Sequence, residues 1–223
     1  AGAGNGTRAL FGGGLSGSVT IADIQYIAYS GGGVTSDFGD MVAPAGSPGV
    51  GVYQAAGAAN STRAVFGGGN ENANATLQNK IDFVTIATTG NASDFGDLTQ
   101  ARTGLAACGS STRSVFGGGM ESGTASRKDT IDYITITSAG NATDFGNLIS
   151  ATTLLGSTSS STRGLFAGGE ASNVLNVIQY ITIASTGNAA DFGDLTVAGN
   201  YLNNACGNSA TRSVFGGSND RSN

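Results

Sequence analysis

Short apolar runs alternate with glycine-rich and Asn/Asp-containing breaks along the whole chain. Residues 63–66 (RAVF) stop at three glycines, and residues 81–89 (IDFVTIATT) carry β-branched or aromatic side chains at most positions. Such runs have the length and composition of strands and lack a helical period. IDFVTIATT predicts a strand of about nine residues with both faces covered, as in sheets stacked face to face. TGNASDFG predicts a turn, because Gly90 and Asn91 tolerate left-handed backbone. FGDL starts or ends a further edge strand. The segments QARTGLAACG and TTLLGSTSS predict a closely packed strand of small residues.

The pattern repeats. Thr-Arg, two small or apolar residues, Phe and glycines recur from Thr7, Thr62, Thr112, Thr162 and Thr211, in steps of 55, 50, 50 and 49 residues. A second motif follows each of the first four copies: IQYIAYS from Ile24, IDFVTIA from Ile81, IDYITIT from Ile131 and IQYITIA from Ile178. A third is SDFGD from Ser36, SDFGD from Ser93, TDFGN from Thr143 and ADFGD from Ala190. Each period therefore holds three clear strands and a weaker fourth. Four strands per period of about fifty residues is the pattern of a propeller blade. The expected fold is all-β: one β-propeller over residues 1–223, with four full periods and a partial one from Thr211. A closed ring, a fifth shared blade and an open array all remain compatible with this count.

The order of apolar strand, Gly-Gly, variable loop, aromatic strand, acidic turn and small-residue strand resembles the kelch repeat. The glycine doublets at Gly67–Gly68 and Gly117–Gly118 carry the resemblance, which spans nearly the whole chain. Kelch blades usually bear a Trp later in the repeat. This chain has none, and Phe95, Phe145 and Phe192 are expected to fill that packing role. The wording TIATTGNASDFGDLT is also similar to repeat proteins of tailed phages of marine cyanobacteria and of large viruses. That resemblance implies a virion surface or appendage component, hence a virion or extracellular location and partners among other virion or surface proteins.

Composition narrows the chemistry. Gly is 38 of 223 residues and charged residues are 11%, which fits many tight turns and no solvated disordered chain. Net charge is −5 without a basic run, so neither a nucleic-acid footprint nor a polybasic membrane patch is expected. No apolar run reaches the roughly 20 residues of a membrane-spanning helix. The two cysteines, Cys108 and Cys206, sit at equivalent places two repeats apart. They are expected as small buried residues rather than a disulfide.

With no His, Ser-His-Asp and Cys-His catalysis is excluded. The three glutamates, Glu71, Glu121 and Glu170, fall in one loop of successive repeats, too far apart to flank a glycosidic bond as a pair. No enzyme activity and no cofactor are expected. The repeated Asp-Phe-Gly-Asp offers too few carboxylates for calcium, so no metal is expected either. Arg8, Arg63, Arg113, Arg163 and Arg212 recur in register with Asp37, Asp94, Asp144 and Asp191. Guanidinium forks suit carboxylates, so the expectation is a repeated structural ion pair.

The variable loops are the candidate recognition surface, because loops on a rigid scaffold carry function. Their candidate contact residues are Asn70, Glu71, Asn72, Met120, Glu121, Arg127, Lys128 and Glu170. The insertion at 43–52, with Pro44 and Pro48, is expected to seal the ring or meet a neighbour. The expected role is a non-enzymatic structural or binding module that contacts proteins or glycans. The alternative is a secreted, lectin-like glycan-binding propeller. Association into oligomers stays open.

Overall fold

The computed structural model describes residues 1–43, 50–71, 76–121, 126–201 and 206–217, with only the backbone of Cys206 and Asn208. The core of the 43–52 insertion, including Pro44 and Pro48, and Asn72 lie outside the described residues. Among the described residues every helix or strand element is a β-strand. The first sheet holds β1 (Gly2–Gly4), β2 (Arg8–Ser16), β3 (Val19–Ala28) and β4 (Ser36–Asp40). The second holds β5 (Ala56–Ala59), β6 (Arg63–Gly67), β7 (Lys80–Thr85) and β8 (Ser93–Asp97). The third holds β9 (Ala106–Gly109), β10 (Arg113–Gly117), β11 (Thr130–Thr135) and β12 (Thr143–Asn147). The fourth holds β13 (Gly156–Ser159), β14 (Arg163–Ala167), β15 (Val177–Thr182) and β16 (Ala190–Asp194). A two-stranded piece, β17 (Cys206–Asn208) and β18 (Ser213–Phe215), follows. Each sheet is an antiparallel meander in chain order.

The first strands lie side by side, β1 against β5, β5 against β9, β9 against β13 and β13 against β17. They border a cavity of about 1100 Å³ whose wall includes Gly2, Ala58, Ala107, Ser157 and Gly207. This crowding explains their small residues: a Cβ on Gly57 would stand 2.4 Å from the carbonyl oxygen of Gly2. Where serines replace glycine and alanine, they bond across the gap. Ser157 Oγ donates to Ala107 O and Ser159 Oγ to Gly109 O, both at 2.7 Å.

Strand alternation sends successive side chains to opposite faces. Leu10, Ile24 and Phe38 of the first sheet thus meet Ala64, Phe66, Val84 and Ile86 of the second. Val65, Ile81 and Phe95 meet Phe116, Ile134 and Ile136, and Val115, Ile131 and Phe145 meet Phe166, Ile181 and Ile183. The glycine after Phe11, Phe66 and Phe116 is the slot for the next sheet's ring. A Cβ at Gly67 would be 2.8 Å from Phe116 Cε1, and one at Gly117 2.8 Å from Phe166 Cε1. Each buried Phe contributes about 2–3 kcal/mol by leaving water.

Two sequence expectations are corrected. The Asp-Phe-Gly-Asp motif lies wholly in the outermost strand of each sheet, as expected for its FGD end, so the turn expected over TGNASDFG stops before Ser93. The strand contains a β-bulge opposite the Ile-x pair, seen at Ile81/Asp82 and at Ile131/Asp132. Asp94 Oδ1 accepts the Gly96 N–H at 3.2 Å, and Gly96 has φ +142° with the Gly140 carbonyl 2.5 Å from where a Cβ would sit. The aromatic strand is also shorter than expected, ending at Thr85. The chain then crosses to the preceding sheet, where Gly90 N donates to Phe38 O and Ala92 N to Asp40 O, both at 2.7 Å. Asn91 Oδ1 accepts the Asp40 N–H at 3.0 Å. Residues 90–92 therefore cover the open edge of β4, which would otherwise offer unpaired groups to another chain. Residues 140–142 and 187–189 do the same for β8 and β12.

Candidate functional site

In a four-stranded meander the loops after the second strand and the linkers after the fourth share one rim. The turns after the first and third strands share the other. On the loop rim, the linker entering a sheet bridges the start of that sheet's loop, which bridges its own return. The bridges are Tyr53–Asn70–Leu77, Thr103–Met120–Arg127 and Thr153–Glu170–Val174. Asn70, Met120 and Glu170 are thus one structural position in three repeats.

The side chains there differ in what they leave open. Asn70 and Glu71 are 6% and 8% exposed, and so are internal to the rim. Asn70 Nδ2 donates to Tyr53 OH at 3.2 Å and Gln78 Nε2 to Glu71 Oε2 at 2.9 Å, while Thr20 Oγ1 reaches the Glu71 carbonyl. Glu170 accepts Arg127 Nη2 at 2.6 Å and Asn200 Nδ2 at 3.0 Å. The first of these ties the loop of the third repeat to that of the fourth. Lys128 Nζ lies 2.7 Å from Glu121 Oε2, and this pair is the most open of the four ion pairs among the described residues, at 28% and 40%. Met120 is half-buried beside it.

The repeated arginines do not pair with the repeated aspartates, which corrects the expectation from the sequence. Arg8 Nη1 donates to the carbonyl of Ile86 at 2.8 Å, Arg63 Nη1 to Ile136 at 3.1 Å and Arg113 Nη1 to Ile183 at 3.0 Å. Each acceptor belongs to the following repeat. The guanidinium carbons of Arg8, Arg63, Arg113 and Arg163 stand 4.5–4.9 Å from the ring centres of Tyr26, Phe83, Tyr133 and Tyr180. Behind each ring, a Phe of the outer strand packs edge-on at 5.7–6.0 Å. The carboxylates of Asp37, Asp94 and Asp191 instead cap their own bulges. Asp144 occupies the same place in β12, and Arg212 immediately precedes β18. The physical reason is the strand reading of Asp-Phe-Gly-Asp: the acid is needed two residues along its own chain, and a flat guanidinium finds a flat ring and a carbonyl within reach.

A buried polar slot was not visible as a site in the sequence. The residue after the Ile of the second motif reaches the linker that enters its sheet. Val42 N donates to Asp82 Oδ2 at 3.0 Å, Thr99 N to Asp132 Oδ2 at 3.3 Å and Ile149 N to Gln179 Oε1 at 2.8 Å. In the third sheet Arg102 Nη2 lies 2.6 Å from Asp132 Oδ2, with both side chains wholly buried. Arg102 Nη1 also donates to the carbonyls of Gly118 and Thr130. Burial pulls the Arg102 guanidinium below its usual range, and the adjacent Asp132 carboxylate opposes that. In the second sheet Val52 stands in the linker where Arg102 stands in the third. Burial pushes Asp82 up to about 6, against Lys80, whose Nζ is 3.6 Å from Oδ1, and against the Val42 N–H. The one signal in the sequence was the Asp/Gln alternation at this position.

Cys108 is free and buried, its thiol pushed up to about 12 by desolvation, so it behaves as a small core residue. Among the described residues no cluster of three or more His, Cys, Asp or Glu side chains could hold a metal ion. Set against protein-family models and curated proteins, the chain matches none of them.

Proposed function

We propose that this chain is a non-enzymatic structural or binding module of propeller type, placed on a virion surface or another extracellular assembly, that contacts proteins or glycans through its loop rim. The observation that carries this reading is the construction of that rim. Loops of different sequence start and end at fixed, doubly bridged positions, so variable side chains stand on a repeated rigid frame. The five inner strands bordering one cavity support the propeller arrangement. The loop acids support binding over catalysis, because Glu71 and Glu170 are already engaged by Gln78, Arg127 and Asn200. The open Glu121–Lys128 pair, with Met120 beside it, is the proposed contact ridge.

The test compares the wild-type chain with a Glu121→Ala/Lys128→Ala double variant on a sensor surface, probed with virus particles, host-surface proteins and a glycan panel. Saturable binding by one of these, weakened about tenfold or more in the variant at unchanged melting temperature, is the expected result. Multiple equivalent sites for a single glycan would point to the lectin-like alternative. Turnover of a glycan, lost on changing one of Glu71, Glu121 or Glu170 to Gln, would overturn the reading.

A further inference from the structure

Positive φ is confined to glycine across the described residues, with three exceptions: Gln54, Leu154 and Tyr201, at φ 55°, 59° and 60°. All three hold one position in the linkers that enter the sheets, directly after Tyr53, Thr153 and Asn200. The third sheet's copy, after Thr103, is Gly104 at φ 65°. Main-chain bonds join the four residues in series. Gly104 N donates to Gln54 O at 3.0 Å, Leu154 N to Gly104 O at 2.7 Å and Tyr201 N to Leu154 O at 2.9 Å. They form a collar where the linkers reach the inner strands, on the loop-rim side. Gln54, Leu154 and Tyr201 all line the cavity that those strands border.

Left-handed backbone crowds a Cβ against the following carbonyl, so glycine is the unstrained residue here, and Gly104 shows that the collar forms with it. A side chain kept at such a position calls for a reason. Leu154 has one: it is buried, and its Cδ2 covers Gly104, 3.2 Å from where a Cβ of that glycine would stand. Gln54 and Tyr201 are only half-buried. Gln54 Oε1 accepts Thr103 Oγ1 at 3.2 Å, and among the described residues its Nε2 has no acceptor. Next to it the ring of Tyr53 is held through its OH, which accepts Asn70 Nδ2 at 3.2 Å. No Asp, Glu, Lys or Arg side chain is among the described residues that line the cavity. A charged ligand would therefore leave water without a counter-charge. A neutral, hydroxyl-rich ligand suits these walls: its hydroxyls meet amides, hydroxyls and main chain, and its C–H faces meet tyrosine rings.

We propose that this collar is a binding site for a neutral oligosaccharide. Gln54 Nε2 donates to a sugar hydroxyl, and the ring of Tyr201 carries the C–H face of a sugar. Resting on the reading of the chain as a binding module, the site narrows the ligand to one class and lies at the cavity mouth rather than on the Glu121–Lys128 ridge. The left-handed backbone lowers stability and in doing so holds the two side chains toward the ligand.

The test titrates neutral hexose and N-acetylhexosamine trimers, and their sialylated and sulfated counterparts, into the full chain by calorimetry. Saturable binding of at least one neutral trimer, stronger than that of its charged counterparts, is expected. Gln54→Gly should weaken it about fivefold, as for one hydrogen bond. Tyr201→Gly should weaken it about tenfold, as for a lost aromatic contact. Gln54→Gly should do so at an unchanged or higher melting temperature, because glycine relieves the left-handed backbone. Failure of every neutral trimer to bind, preference for a charged counterpart, or binding that Gln54→Gly leaves unchanged would overturn the proposal. A Gln54→Gly protein that melts several degrees lower would also overturn it, by making Gln54 a packing residue. Glycan binding lost in the Glu121→Ala/Lys128→Ala variant instead, or protein binding without glycan binding, would remove the collar site and leave the binding-module reading standing. Absence of any protein or glycan binding would remove both.

Discussion

Asp132 and Asp82 occupy one position in two adjacent repeats, and their surroundings have opposite consequences. Asp132 is met by Arg102 at 2.6 Å, by Thr99 Oγ1 at 2.6 Å and by the Thr99 N–H. Asp82 has Val52 where the arginine would be, a lysine at 3.6 Å, and an Oδ1 without a hydrogen-bond partner among the described residues. A small cavity of about 10 Å³ borders Asp82, Lys80 and Val52, close to the least volume that holds one water. The fourth repeat dispenses with charge: Gln179 takes the linker N–H, and Thr152 stands in the arginine's place. The comparison teaches that the architecture needs an acceptor at this point and not a charge. Where the acceptor is an anion, stability depends on how completely its partner compensates for lost water.

Breaking the compensated version has the largest expected effect. Arg102→Ala leaves a wholly buried carboxylate without its cation, and Asp132→Asn leaves a buried guanidinium without its anion. Each is expected to cost about 3–5 kcal/mol in denaturant unfolding. A loss under about 1 kcal/mol would show that Arg102 reaches solvent in solution.

The same Asp→Asn change in the second repeat is expected to have the opposite sign. Asp82 holds its proton up to about pH 6 when folded, against 3.8 for the unperturbed group, so between these values the folded state binds more protons than the unfolded chain. Its contribution to stability is therefore greatest below pH 4 and is lost as pH rises through about 6. Asp82→Asn should raise stability at pH 7 by on the order of 2–3 kcal/mol. It should also flatten the pH dependence between 4 and 6 relative to wild type. A destabilised Asp82→Asn would mean that Lys80 compensates the carboxylate fully.

The smallest effect is expected when the neutral solution of the fourth repeat is moved into the third. The Arg102→Thr/Asp132→Gln double variant removes both charges while keeping the acceptor. Its stability should lie within about 1 kcal/mol of wild type, far from the sum of the single losses. A double variant as unstable as that sum would show the ion pair to be stabilising in its own right.

Much of the fold was legible in the sequence because each repeat restates its own constraints. The glycine after Phe66 is fixed by the ring of Phe116, and the one in Asp-Phe-Gly by a positive φ and a neighbouring carbonyl. Only part of the strand identity of Asp-Phe-Gly-Asp was legible: FGDL was expected on an edge strand, but the strand's first residues, Ser93 and Asp94, were assigned to a turn, because Asp and Gly are turn residues and a bulged edge uses them for the same backbone reasons. The arginine partners were missed because charge matching along a sequence carries no direction. The acids were committed to their own bulges, and the real acceptors, the carbonyls of Ile86, Ile136 and Ile183, are anonymous in a sequence. At the loop rim the sequence named Asn70, Glu71, Glu121 and Lys128 together as candidate contact residues. It did not separate Asn70 and Glu71, which turn inward, from Glu121 and Lys128, which stay open.

The account depends on each repeat clasping the outer edge of the one before it, and amide hydrogen exchange on the native chain reads that clasp directly. Gly90, Ala92, Gly140, Ala142, Gly187 and Ala189 donate across to the preceding sheet and should exchange slowly. Gly33 and Thr35 hold the same positions in the first repeat, donate to no other sheet among the described residues, and should exchange at rates near those of an exposed loop. Uniformly fast exchange at all eight amides would contradict the stacking of these sheets.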